Sequence, residues 1–177
     1  LYNISVNIKE LILMNYIYND KKFDNIIKDV MNDIDFKEID TCVHHGISRL
    51  EHSLRVSYYS YKVTKVLGLD YKETAIAGLL HDFFLSKNLN VTDKFTSMFE
   101  HPKKALENAE SHFYLSDMQK DIIVSHMFPL LPNKPPKFLE GWIVSLVDKF
   151  VAVYEFGFSF SRKFKFKFEN AMIFALF

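Results

Sequence analysis

The sequence is poor in the residues that staple, bend or break a chain. A single cysteine, Cys42, stands among 177 residues. One thiol excludes a disulfide framework, and a reducing cytoplasm is the expected compartment. Glycine and proline number only five each. Few tight turns are therefore available, which favours long helices over many short strands. An excess of charge of one sign is also missing, because Lys plus Arg and Asp plus Glu stand at 22 each. A chain with no net field is a poor candidate for binding a nucleic-acid polymer or an anionic membrane. No apolar run is long enough for a transmembrane helix. The first residues, Leu1-Tyr2-Asn3-Ile4, lack the charged-then-apolar pattern of a signal peptide, and the missing initiator Met points to a truncated or processed start.

What is present is an ordinary globular composition, 49% hydrophobic and 25% charged, in a length that suits one domain. Phe and Tyr are abundant, and Lys, Asn and Ile recur throughout, a bias that fits the source genome better than any one function. Apolar residues from Ile8 through Ile17 to Val30 fall mainly three and four apart, which predicts one or two short helices over residues 7–31. The stretches Asn32-Asp33-Ile34-Asp35 and His44-His45-Gly46 read as loop, with the two histidines solvent-exposed. A helix is expected over about 48–67, its stripe formed by Leu50, Leu54, Val56, Tyr58, Tyr61, Val63 and Val66, with Gly68 as its stop. A second, rich in Ala and Leu, is expected over about 71–84.

Residues 86–97 look irregular. Pro102 fits the first turn of a helix over 102–113, leaving His101 just outside it. Ser116 and Gln119 form a capping-box pattern that opens a helix over 117–127. Pro129, Pro132, Pro135 and Pro136 then enforce a stiff connection. The last helix is expected at about 138–156, with Trp142, Ile143, Leu146, Val147, Phe150 and Val151 toward the core. Lys163-Phe164-Lys165-Phe166-Lys167-Phe168 alternates like a strand and predicts an amphipathic tail packed on that core.

The chemistry-bearing residues are spread over these elements. His81-Asp82 ends the run Ala75-Ile76-Ala77-Gly78-Leu79-Leu80, setting an imidazole beside a carboxylate, both able to bind a divalent metal. A carboxylate has two oxygens and can bridge two ions. His52 lies on the first long helix, His101 before Pro102, and His126 at the end of Ile122-Ile123-Val124-Ser125. Asp148 interrupts the apolar stretch Ile143-Val144-Ser145-Leu146-Val147, where an unpaired carboxylate is costly and a metal is a good partner. His112 reads as surface, as do Lys103 and Lys104.

The order His52, His81-Asp82, Asp148, in the strings Arg-Leu-Glu-His-Ser-Leu-Arg-Val-Ser, Gly-Leu-Leu-His-Asp and Ser-Leu-Val-Asp-Lys, resembles the HD superfamily of metal-dependent phosphohydrolases. The likeness spans about residues 45–155. It implies an all-α, compact bundle of about six to eight helices, in a single domain over 1–177 with helices 1–40 and the tail 157–177 packed on the HD core. With His101 and His126 the pattern is similar to two-metal members such as the HD-GYP phosphodiesterases and the diadenosine tetraphosphate hydrolases. The Gly-Tyr-Pro signature of the former is absent, which argues against cyclic di-GMP. The chain also resembles small uncharacterised bacterial HD proteins.

The resemblance implies that His52, His81 and Asp148 hold one divalent ion, that Asp82 bridges, and that His101 and His126 hold a second. Iron or manganese is favoured, with zinc, nickel and magnesium open. Metal-activated water would attack the phosphorus of a nucleotide or small phosphate ester. Arg49, one helical turn before His52, and Lys149, beside Asp148, are the expected phosphate-facing cations. Two other readings share this ligand set: a di-iron oxygenase of HD type, and a non-catalytic metal- or nucleotide-binding module.

Overall fold

The computed structural model describes the backbone of residues 19–44, 47–85 and 94–160, and the side chains of all of these except 43, 44, 47, 94–98 and 157–160. The apolar periodicity over residues 7–18, His45, the loop 86–93 and the alternating tail all lie outside the described residues. Within them stand seven α-helices: α1 (Lys21–Asn32), α2 (Ile34–Lys37), α3 (Arg49–Val66), α4 (Tyr71–Leu80), α5 (Lys94–His112), α6 (Asp117–Ser125) and α7 (Leu139–Phe160). A 3-10 turn at Glu38–Thr41 and a minimal antiparallel ribbon, β1 (Val43–His44) against β2 (Ile47–Ser48), lie between α2 and α3. The architecture is all-α. Among the described residues no helix is long and apolar enough to cross a membrane.

Local chemistry starts and stops these helices. Asp20, Asp33, Ser48, Asp70 and Ser116 cap α1, α2, α3, α4 and α6, each side chain accepting from backbone amides of the first turn. At Ser116 the full reciprocal box with Gln119 forms, as the pattern predicts. Gly68, at φ +71°, ends α3: its amide reaches Lys65 O and the Leu69 amide reaches Thr64 O at 2.9 Å. That is the left-handed closing turn for which glycine is the cheapest residue.

Several expectations need correction. Asp33 is a helix cap rather than loop, its carboxylate accepting from Phe36 N at 2.7 Å to open α2. His44 lies in β1 rather than in a loop. Helix α4 stops at Leu80, four residues early. The next segment instead ties its carbonyls to neighbouring side chains, Phe83 O accepting from Asn108 and Phe84 O from Arg49. Helix α5 begins at Lys94, so Pro102 lies inside it and His101 is helical. On α7, Trp142, Leu146 and Phe150 are exposed, not core. The inward face is given over to Val144, Ser145, Asp148, Val151 and Glu155, spaced by helical turns. Val66, too, points to solvent at the end of α3.

Helix α3 is the axis of the bundle, packed along α4 and α7. Its line of Ser53, Ser57, Ser60 and Thr64 is fully buried. These small side chains admit α4 closely. A Cβ placed on Gly78 would come within 3.1 Å of Ser57 Cα, and Ser57 Oγ donates to Ala75 O at 2.6 Å. Phe23, Phe36, Ile39, Tyr61, Leu79, Leu80, Ile122 and Ile123 fill the core around this contact. Burying that apolar surface supplies the main drive for the bundle. The α3–α4 contact also sets His81, one turn past Gly78, beside His52.

Candidate metal centre

Three helices and two helix ends deliver their side chains to one buried place. His52 comes from α3, His101 from α5, Asp148 from α7, and His81 and His126 from the C-terminal caps of α4 and α6. The last two use one device. A helix end leaves carbonyls without amide partners. His81 Nδ1–H donates to Gly78 O at 2.8 Å and His126 Nδ1–H to Ile123 O at 2.7 Å, each to the carbonyl three residues back. Both rings are thereby held in the tautomer that turns a bare Nε2 inward.

Two clusters result. In the first, His52 Nε2 lies 3.1 Å from Asp148 Oδ1, and His81 Nε2 lies 3.7 Å from the same oxygen. In the second, His101 Nε2 is 3.0 Å from His126 Nε2, and Asp82 Oδ1 is 3.4 Å and 3.7 Å from those two nitrogens. Asp82 Oδ2 is 3.9 Å from His81 Nε2, so Asp82 stands between the clusters. Two groups, His52–His81–Asp148 and His81–Asp82–His126, have the mutual spacing of metal ligands. In the His101–His126–Asp82 triangle, a point equidistant from the three atoms lies about 2.0 Å from each, the length of a metal–nitrogen or metal–oxygen bond.

Burial sharpens the point. His81 Nε2 and Asp82 Oδ1 are buried and make no hydrogen bond. Burying a polar atom without a partner costs about 1–3 kcal/mol. Two such atoms facing one cluster of nitrogens and carboxylates are what a bound cation relieves, so the residues fit a divalent metal.

The protonation states agree. The Asp82 carboxyl is held below its usual range; burial resists this, and the His81, His101 and His126 imidazoles outweigh it. Asp148 is held well below the usual carboxylate range against its burial, by His52, His81 and Lys149. Burial, then the neighbouring His81 and His101, push His126 down to about 3, so its ring is neutral near pH 7. His52 behaves oppositely: burial disfavours its charge, but hydrogen bonds to Asp148 and Glu155 raise it to about 10. A proton thus sits on His52 where a cation would bind.

A family model for the HD domain matches residues 49–153. This chain belongs to the HD-domain family. The family falls within the metal-dependent phosphohydrolase superfamily and is mostly made of metal-dependent hydrolases. No curated protein and no solved structure matches the chain. All six residues of the two clusters fall inside the matched HD span.

The cations singled out in the sequence lie at the edges of this HD site. Lys149 Nζ is 3.0 Å from Asp148 Oδ2 and donates to His126 O. Arg49 is buried. Its Nη1 donates to Phe84 O at 2.5 Å, and its guanidinium lies 3.8 Å from the centre of the Phe84 ring. Phe84 in turn stacks on His101 at 5.2 Å and 29°. His112 is away from the centre, its ring between Asp33 and Asp35 at 3.1 Å and 3.6 Å. Lys103 and Lys104 face solvent beside Glu107.

Sequence reasoning missed two members. Glu155 accepts from His52 Nδ1–H at 2.7 Å. Its signal was available: a carboxylate two turns after Asp148 in the apolar run Phe150-Val151-Ala152-Val153-Tyr154. Phe84 carries no such signal, because a phenylalanine after a helix end is most simply core.

Proposed function

We propose that this HD-domain chain is a metal-dependent phosphohydrolase acting on a nucleotide or another small phosphate ester. In this reading His52, His81 and Asp148 hold one divalent ion, His101 and His126 hold a second, and Asp82 is shared. The observation that carries it is a pair of buried atoms that make no hydrogen bond, His81 Nε2 and Asp82 Oδ1, set among the ring nitrogens of His52, His101 and His126 and a second carboxylate. Bound manganese or iron would supply a water nucleophile of lowered pKa and positive charge for the phosphoryl oxygens.

The chain's own residues supply placement. Gly78 O and Ile123 O keep the His81 and His126 rings aimed. Asp82 is the member of the cluster most open to solvent, its side chain 20% exposed against 12% or less for the other five. Substrate is therefore expected to approach over Asp82. Lys149, with its side chain 24% exposed, is the cation able to turn from Asp148 toward a phosphate. Arg49 works through Phe84, holding the face on which His101 rests.

The test is turnover by the purified chain, loaded with Mn(II) or Fe(II) without dioxygen, on a panel of nucleotides and phosphate esters. Phosphate release that disappears in His81→Ala is the expected result. Turnover that needs both iron and dioxygen would replace hydrolysis with oxidation. Metal and nucleotide binding with no turnover would reduce the protein to a binding module.

A further inference from the structure

Glu155 lies two residues beyond the matched HD span, yet its side chain is only 3% exposed. Its two oxygens do different things. Oε2 accepts from His52 Nδ1–H at 2.7 Å, and Oε1 accepts from Arg55 Nη1 at 3.5 Å. Arg55, 3% exposed, also donates from Nη2 to Glu51 on the preceding turn of α3. The chain Glu51–Arg55–Glu155–His52 thus runs from the flank of α3 to the metal cluster through buried charge. His81 and His126 rest on neutral backbone carbonyls. His52 instead rests on a carboxylate that is itself held by an arginine. A carboxylate accepting from the far nitrogen raises an imidazole's basicity toward a cation and fixes its orientation more firmly than a carbonyl does.

We infer that Glu155, held in place by Arg55, is the positioning residue for His52 and thereby strengthens metal binding at the His52–His81–Asp148 position. The inference rests on the proposed two-ion reading of the centre, and extends it to a residue outside the matched family span. Glu155 touches neither substrate nor metal. It acts by committing His52 Nδ1 to carry hydrogen, so that Nε2 is the ligating atom.

The isosteric change Glu155→Gln tests it best. An amide has one acceptor oxygen, and the Arg55 guanidinium, which can only donate, claims it. The amide NH2 is then turned toward His52 Nδ1, donor against donor, and the ring is driven to the wrong tautomer or out of line. Mn(II) affinity is measured by chelator competition and by loss of the free-ion electron paramagnetic resonance signal. In a chain carrying His126→Ala, which isolates the first position, Glu155→Gln should weaken Mn(II) binding by about 10- to 100-fold, the usual effect of losing such a partner. Glu155→Ala should do the same.

In a chain carrying His52→Ala, Glu155→Gln should leave the affinity of the remaining position unchanged. A merely structural carboxylate would weaken binding in both backgrounds. Mn(II) affinity that is the same with and without Glu155→Gln in the His126→Ala background overturns the inference. A wild-type chain that takes up no metal overturns it together with the proposed function. A wild type that binds two ions but hydrolyses nothing leaves the Glu155 comparison fully readable.

Discussion

At the scale of single residues, the centre depends on side chains that hold ligands as much as on the ligands. Phe84 is the clearest case, with the Arg49 guanidinium on its ring and the His101 imidazole stacked beside it. Stacking with a cation is worth up to about 2 kcal/mol when desolvated, and the buried ring adds its own apolar area. Phe84→Ala is therefore expected to cost about 3–5 kcal/mol in urea unfolding. Phe84→Leu keeps most of the volume and should cost less than the alanine variant, but it loses both stacks. It should weaken metal binding at the His101–His126 position while leaving the fold intact. Unchanged metal affinity in Phe84→Leu would show that His101 needs no such support. Lys149 makes a separate prediction. Lys149→Met removes a cation bonded to Asp148 and to His126 O, and should lower kcat by about 10-fold or more if that cation meets developing phosphoryl charge. Measured metal content should stay at the wild-type level.

At the scale of elements, small residues and caps decide how close the helices come. Gly78 has no room for a methyl group, since the Ser57 backbone stands 3.1 Å from where the Cβ would be. Gly78→Ala should push α4 from α3 and cost about 1–3 kcal/mol by overpacking. It should also spread His81 from His52 and weaken metal binding, read by chelator competition. Ser116→Ala makes the contrast. Loss of the α6 cap should cost about 1 kcal/mol of stability and leave metal affinity alone, because Ser116 lies at the opposite end of α6 from His126. These elements also show what could be read in advance. The Ser116–Gln119 box, the Gly68 stop and the spacing of α3 are local physics, and they appear where the pattern places them. The end of α4 differs from the expected one because its deciding partners are distant. Arg49 reaches Phe84 across 35 positions and Asn108 reaches Phe83 across 25.

At the scale of the molecule, the centre is a knot. Residues from α3, α4, α5, α6 and α7 meet there, each carrying nitrogen or oxygen toward the same few ångströms. A cation bound at such a point is held only by the folded chain. Metal at 100 times its Kd should therefore stabilise the fold by about 2.7 kcal/mol per site. For a chain of this length each kcal/mol moves Tm by roughly 2–4 °C. Stripping the metal with a chelator should lower Tm by about 5–10 °C for each occupied site, an effect restored by Mn(II) and reduced in His81→Ala. A Tm indifferent to chelator would mean that the convergence of five helices has no cation at its focus.

The sequence by itself determined the helical class, the capped start of α6, the Gly68 stop of α3, the residue types of the candidate metal cluster and their assignment to separate elements. These follow from short-range rules: spacing along one helix, a side chain bonding an amide three residues on, the cost of a carboxylate in an apolar run. Only the tertiary structure decided which atoms meet. It brought Asp82 between two clusters, left His81 Nε2 and Asp82 Oδ1 without hydrogen bonds, committed Arg49 to Phe84, and placed Glu155 behind His52. Those facts depend on how closely α3 admits α4 and on which face of α7 turns inward. The packing of all the helices together settles both, and no local stretch of sequence carries that information.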